Sequence, residues 1–408
     1  MNTRLGRSVL SCFIGPLMIG ASVQAAPLPQ PAGFEPFKNI SAGGFTFYNR
    51  LQTGLKATSN VRLDPSAVSD VMKLLAIDSA ARSQWQRHAL AATFSYVDQQ
   101  ANKIKEQKND ALSLTLSGRI DLNEQLGLKL GALSIESIVG KNDPMQFNGA
   151  LNATNHIDTL EAALEWKNAG HFANILARQQ KIANETQINV SFLDRLQAQN
   201  RTEQNLTLQL GENHSWGQRY LLVGPERVTY TGSAVILPED RDSTGVRLGA
   251  GLEYQQGPWQ GVFRLIGFRQ DFNAPTIPDI SSWVGTAQLN YRLNPQWSLA
   301  GALERSFDET NIENSGGLFT NLATIGALYQ PRQDFYLKLS PTYRFYEIAD
   351  TGVEAESISL DATAAWQVTP RVELLLDLTL SDQTVNNAMI SNLEYSESAI
   401  TLSTVITY

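Results

Sequence analysis

The sequence predicts an all-β fold: a transmembrane antiparallel up-and-down β-barrel of about 18 strands, with 16 as the alternative count, behind a cleaved signal peptide. Three observations predict it. Short segments of alternating apolar and polar residues recur along the whole chain, with no long helical pattern or linker between them. The connections between these segments alternate between very short turns and longer polar stretches. After Ala25 no apolar run reaches the ~18 residues that a transmembrane helix needs, so strands are the only means of crossing a membrane.

The N-terminus, "MNTRLGRSVLSCFIGPLMIGASVQA", carries Arg4 and Arg7, then an apolar run, then small residues ahead of a cut after Ala25. This is the layout of a secretory signal, residues 1–25. Cys12, the only cysteine, lies inside it. The apolar run continues past Cys12 through "FIGPLMI", where a lipoprotein signal would close, so Cys12 is discarded with the leader. The mature chain needs neither a disulfide nor a cysteine-ligated metal, which suits an oxidising compartment. Removing two arginines from 32 Lys+Arg, against 40 Asp+Glu, leaves a net charge near −10, which argues against a nucleic-acid partner. Residues 26–43, containing "PLPQPAGFEPF", form a Pro-rich periplasmic segment, and residues 44–408 form the barrel.

Strands are expected at 44–58, 68–82, 86–99, 109–122, 125–139, 153–167, 170–184, 198–211, 217–231, 241–255, 258–272, 281–293, 296–308, 319–330, 333–348, 354–367, 371–383 and 394–408. The stretch "ALSLTLSGRIDLNEQLGLKLGALSI" shows the unit. Leu112, Leu114, Leu116, Ile120 and Leu122 share one face, as do Leu126, Leu128 and Leu130 after the turn, while Ser113, Thr115, Ser117, Arg119 and Asp121, then Gly127 and Lys129, take the other. Short turns such as "NAG", "QQGP" and "QPRQ" alternate with connections such as "GKNDPMQFNGALN", the asymmetry of bacterial outer-membrane barrels. Trp85, Trp166, Trp216, Trp259, Trp297 and Trp366 all lie near the short turns, and only Trp283 lies near a longer loop. With the terminal Tyr408 they read as an interfacial aromatic girdle at one rim. The leucines therefore face lipid.

The opposite face should line the lumen. Reading each strand from its apolar register, the inward basic residues are Arg87, Arg119, Arg201, Arg219, Arg227, Arg247, Arg264, Arg292, Lys338 and Arg344. The inward acidic residues are Asp121, Glu161, Glu165, Glu203, Glu253, Glu304, Asp361, Glu373 and Asp377. The two sets nearly balance, so the wall is mixed in sign and does not form a single-sign ring. Ion pairs that only brace the wall are the alternative reading for any one of them. Registers in "HFANILARQQK" and "GLFTNLATIGALY" are ambiguous and give no inward residues. The four histidines, His88, His156, His171 and His214, sit in no catalytic motif, no metal loop is present, and no cofactor is implied. A barrel lipase assembling Ser and His from separate strands stays open.

"GGFTFYNRLQTGLKATSNV", then "VSDVMKLLAIDSAARSQWQRHALAATFSYVDQQ" and the hairpin series resemble the outer-membrane β-barrel porin family of the β-barrel porin 2 type, encoded with exopolysaccharide synthesis and export loci. Ser69–Asp70 and Trp85, Arg87 and His88 fit its pattern. The usual acidic pair before the first loop's Asn is here "ATSN", leaving Asn60, and "IDSAA" replaces the usual Pro-Gly. The resemblance implies a passive, non-enzymatic channel for a secreted exopolysaccharide or capsular polysaccharide. It also implies, as partners, a periplasmic polysaccharide export protein, the barrel insertion machinery and outer-membrane lipid, in the outer membrane of a Gram-negative bacterium. No expected outer loop exceeds about 13 residues, which leaves the ~18-stranded bore unconstricted and suited to a polymer. Tyr336 or Tyr346 would offer aromatic platforms for sugar rings. A solute porin and a barrel enzyme acting on lipid or polymer are the rival readings.

Overall fold

Strands dominate the computed structural model, which describes residues 40–63, 65–104, 108–139, 153–185, 200–231, 240–308, 315–386 and 394–408. The signal peptide, Cys12 and most of the Pro-rich segment lie outside these residues. In chain order the strands are β1 (Ile40–Ala42), β2 (Phe45–Thr58), β3 (Asp70–Ser83), β4 (Ala89–Ala101), β5 (Lys108–Asp121), β6 (Leu126–Val139), β7 (Ala153–Asn168), β8 (His171–Glu185), β9 (Arg201–His214) and β10 (Gly217–Tyr230). There follow β11 (Ser243–Gln256), β12 (Trp259–Phe272), β13 (Ile280–Arg292), β14 (Trp297–Asp308), β15 (Leu318–Arg332), β16 (Phe335–Ile348), β17 (Val353–Thr369), β18 (Val372–Val385) and β19 (Tyr395–Thr407).

From β2 to β19 each strand pairs antiparallel with its sequence neighbours, and β19 returns to pair with β2. The wall is therefore a closed ring of eighteen strands, each close to an expected one, with no edge left in the membrane. The nineteenth strand was not expected. β1 is tied to β2 by Gly43 and Gly44, both with positive φ (60° and 79°), the backbone a two-residue hairpin needs. It occupies the edge of β2 at Phe45–Phe47, next to the point where Tyr408 and Asn49 exchange backbone hydrogen bonds of 3.2 Å.

At the short-turn end several connections have only two residues, as at Ala169–Gly170, where φ is positive at both positions. At the other end the connection from β8 to β9 spans residues 186–200, longer than the expected maximum of about 13. The expected girdle residues Trp85, Trp166, Trp216, Trp259, Trp297, Trp366 and Tyr408 all sit at the short-turn end. Trp259 stacks on Tyr291 at 4.1 Å, Trp297 on Tyr329 at 4.4 Å, and Trp216 on His214 at 4.8 Å.

The outer surface is apolar and exposed, with Leu114, Leu116, Leu160, Leu221, Leu248, Leu303, Ile325 and Leu402 among its side chains. For a soluble protein this would be an aggregation surface; in a bilayer it is the lipid contact. No helix among the described residues is long and apolar enough to cross a membrane.

Two irregularities shape the inside. Phe172, Tyr220, Leu222 and Ile266 project inward and pack together. They reach across intervening strands over glycines: a Cβ on Gly211 would lie 2.4 Å from the Phe172 ring, and one on Gly251 would lie 2.1 Å from that of Tyr220. The second lies between β13 and β14, whose ladder stops at Gly285 and Arg305. Beyond that point, Phe307 and Phe319 from the outer face of β14 and β15 pack on Phe268 and Ile280 from the inner face of β12 and β13. The distal end of β14–β15 therefore lies inside its neighbours. Arg241 holds it there by donating to the Ser315 carbonyl (2.7 Å), and the Ser315 hydroxyl donates to the Ala349 carbonyl (2.9 Å).

Candidate functional site

The inner wall carries the charged and hydrogen-bonding groups of the barrel, and most of its charges are paired with one another. On β5, Arg119 contacts Asp121 at 2.7 Å. Lys129 on β6 reaches Glu165 on β7 at 2.5 Å, and Glu161 lies 3.5 Å from Arg178 on β8. Arg178 also donates to Gln180 at 2.6 Å. Arg201 and Glu203 pair along β9 at 2.8 Å, and Arg247 on β11 pairs with Glu226 on β10. Arg264 donates to the Tyr220 hydroxyl at 3.2 Å.

Arg50 on β2 contacts Asp78 on β3 at 3.3 Å, and across the seam where the ring closes Lys56 contacts Glu397 at 3.0 Å and Gln52 donates to the Ser403 hydroxyl at 3.0 Å. Hydroxyls also donate to inner carboxylates: Ser95 to Asp78 (2.6 Å), Thr363 to Asp377 (2.7 Å), Thr379 to Asp361 (2.9 Å) and Tyr336 to Glu373 (3.4 Å). Arg344 donates to the Tyr346 hydroxyl at 3.0 Å.

Alternation along β7, β9, β11 and β12 places Glu161, Glu165, Arg201, Glu203, Arg247, Glu253 and Arg264 on this inner face, opposite to their exposed apolar neighbours. Lys338, Arg344, Asp361, Glu373 and Asp377 occupy the inner positions of β16 to β18. Arg292 ends β13 at the short-turn rim, and Glu304 is inward on β14. Three expectations are corrected. Arg87 lies in the turn between β3 and β4, donating to the Leu122 carbonyl at 3.1 Å, so it belongs to the rim and not to the inner face. Arg219 and Arg227 lie on the outer face of β10, where Arg219 pairs with Glu212 at 2.6 Å. In "GQRYLLVGPERVTY" the apolar residues occupy both faces, because Tyr220 and Leu222 join the inner apolar patch.

Sequence reasoning missed Arg178, since "HFANILARQQK" is apolar on both faces for the same reason. It also missed Arg50, Lys56, Asp78, Glu226 and Glu397; strict alternation from Leu55 and Leu221 would have found Lys56 and Glu226. Tyr346 is packed among Leu318, Ile348 and Ala355, so it presents no open ring face.

The wall is uneven in exposure. Several inner groups on β7 to β11 are buried, with Arg178 at 6% and Arg201 at 2%, whereas Ser117 and Arg119 on β5 and Asp361 on β17 are exposed to the bore. Among the described residues no group of three or more His, Cys, Asp or Glu is placed to hold a metal ion. The histidines are dispersed: His88 accepts from the Asp121 amide at 3.2 Å, His156 lies 3.7 Å from Glu136, and His214 lies 3.3 Å from Glu212.

The family described as "Putative beta-barrel porin 2" matches residues 32–164 and 226–408, well over half of the chain. The chain belongs to that family. It is accordingly an outer-membrane β-barrel porin of the Gram-negative type. No curated protein matches it. Among solved structures this porin is similar to Pseudomonas aeruginosa OccK2 (OpdF) in complex with glucuronate, at 11% identity over 90% of this chain and 98% of that one, TM-score 0.48. It is also similar to the FrpB iron transporter from Neisseria meningitidis, at 9% identity over 92% and 83%, TM-score 0.45, and to the siderophore receptor PirA from Pseudomonas aeruginosa, at 9% identity over 89% and 80%, TM-score 0.42. Likenesses this distant identify no substrate.

Proposed function

We propose that this porin is a passive conduit exporting an exopolysaccharide or capsular polysaccharide across the outer membrane. The observation that carries the reading is the internal pairing of the inner-wall charges. Arg119 with Asp121, Lys129 with Glu165, Arg201 with Glu203 and Arg50 with Asp78 each neutralise a partner, so the bore presents little net field to a passing solute. Hydroxyls remain on the inner face of β5, with Ser113 and Thr115 half-buried and Ser117 exposed. Such groups offer many weak, exchangeable hydrogen bonds to a hydroxyl-rich chain, and transport of this kind needs no catalytic residue. A periplasmic export protein would deliver the polymer to the short-turn rim.

Deleting the gene is expected to leave intracellular synthesis intact while stripping extracellular polymer, with uptake of small sugars unchanged. Introducing Thr115→Trp with Thr363→Trp, both inner positions, should narrow the channel, lower planar-bilayer conductance and reduce secretion without impairing insertion. A second reading, a solute porin, is favoured by one observation: the inward-lying end of β14–β15 and the packed patch around Phe172 and Tyr220 narrow one side of the bore. Polymer secretion unchanged in the deletion, together with lost growth on a small solute, would decide for that reading.

A further inference from the structure

Where the β13–β14 ladder stops, the outer surface changes shape. Only eight residue pairs join these strands, from Arg292 and Ser298 to Gly285 and Arg305, against twelve on either side of them. The last paired position carries Arg305 on the lipid side. Its guanidinium lies 5.1 Å from the Trp283 ring and 4.4 Å from that of Phe319, and donates to the Asn321 side chain at 2.9 Å. No carboxylate among the described residues pairs with it, and its Nε is buried without a hydrogen-bond partner. This is unlike Arg269, also on the outer face, which contacts Asp271 at 2.6 Å and Asp279 at 3.5 Å.

Below Arg305 the surface forms a trough. Leu265, Gly285 and Arg305 lie side by side on three neighbouring strands, and one step nearer the short turns come Phe263, Ala287 and Leu303. The middle strand thus has a half-buried floor of Gly285 and Ala287 between the exposed ridges of Phe263, Leu265 and Leu303. The cation stands eight residues beyond Trp297, which is roughly 20 Å along the barrel axis for a strand tilted by ~40°. That is close to the outer boundary of the ~25 Å apolar band.

We propose that this trough binds one phosphate-bearing lipid of the outer leaflet, with its phosphate on Arg305 beside Trp283 and an acyl chain along Gly285 and Ala287. The polarity fits: the cation is at the head-group level and the apolar floor runs from it toward the membrane centre. A guanidinium held between two rings keeps its donors oriented, and its fork matches phosphate as it does carboxylate, phosphate being the one that lipid head groups carry at this depth. The site is independent of what passes through the bore.

The test is native mass spectrometry of the full chain, released from uncharged maltoside micelles doped with equal amounts of dioleoyl phosphatidic acid and dioleoylglycerol. Wild type should retain one phosphatidic acid in clear preference to the glyceride. Arg305→Gln should lose that preference about tenfold, and Arg305→Lys should keep part of it. Ala287→Trp, which fills the trough and leaves the arginine in place, should lose bound lipid as well. Arg269→Gln should behave as wild type. Heat-modifiable migration on gels establishes that each variant is folded. Equal retention by Arg305→Gln or Ala287→Trp, or equal loss by Arg269→Gln, would overturn the proposal.

Discussion

Leu116 and Ser117 are adjacent in sequence and opposite in environment: Leu116 is exposed on the lipid side, and Ser117 stands inward on the open arc of the bore. A charge introduced at the first position must be buried in hydrocarbon or drag water to itself, whereas at the second it enters water. Leu116→Arg is therefore expected to destabilise the barrel by about 2–4 kcal/mol and Ser117→Arg by much less. Urea titration of both variants refolded into lipid vesicles measures the difference, and equal losses would mean that the two faces are assigned the wrong way round. Single residues also mark where the sequence was legible. The alternation that fixes Leu116 and Ser117 holds wherever one face is apolar and the other polar, as on the strands of Glu161, Arg201, Arg247 and Asp377. It breaks at Arg178, Arg219 and Arg227, whose strands carry apolar residues on both faces.

At the scale of the element, the breakdown has one cause. Phe172, Tyr220, Leu222 and Ile266 are inner residues that pack sideways over the glycines of neighbouring strands, and a strand reader has no means of seeing a contact between β8, β10 and β12. The lengths of the strands were nevertheless readable, because polar loops and Gly or Pro turns bound each of them. β1 escaped for the opposite reason: "ISA" is too short to show alternation and abuts a Pro-rich stretch. The structure gives it a definite task, covering Phe45–Phe47 of β2 beyond the reach of β19. Proline at Ala42, opposite Phe45, would remove a backbone donor from this hairpin. In Ala42→Pro, hydrogen exchange should quicken at the amides of Phe45 and Phe47 and stay slow from Leu51 to Thr58. Protection that persists at Phe45 and Phe47 would show that β1 does not cover that edge.

For the whole molecule, closure is what matters most. Nine residue pairs join β19 to β2, fewer than the fourteen between β11 and β12, and the Gln52–Ser403 hydrogen bond spans 351 positions of sequence. Contacts of such separation form late and slowly. The same geometry governs how the protein is lost. A ring in hydrocarbon has no acceptable half-open form, since parting any two strands strands two rows of backbone donors and acceptors in lipid. Survival is then a matter of lifetime, set by the barrier to the first parting, and the short ladders are where that parting begins. Gln52→Leu with Ser403→Ala is expected to hasten unfolding in denaturant several-fold more than Gln270→Leu with Ser243→Ala, which removes a matched 2.8 Å hydrogen bond inside the long β11–β12 ladder. Equal acceleration would place the first break elsewhere. The circle that spares the sheet an edge therefore also gives it a clock: the porin persists for as long as its least-bonded joints hold together, however well the rest of the wall is built.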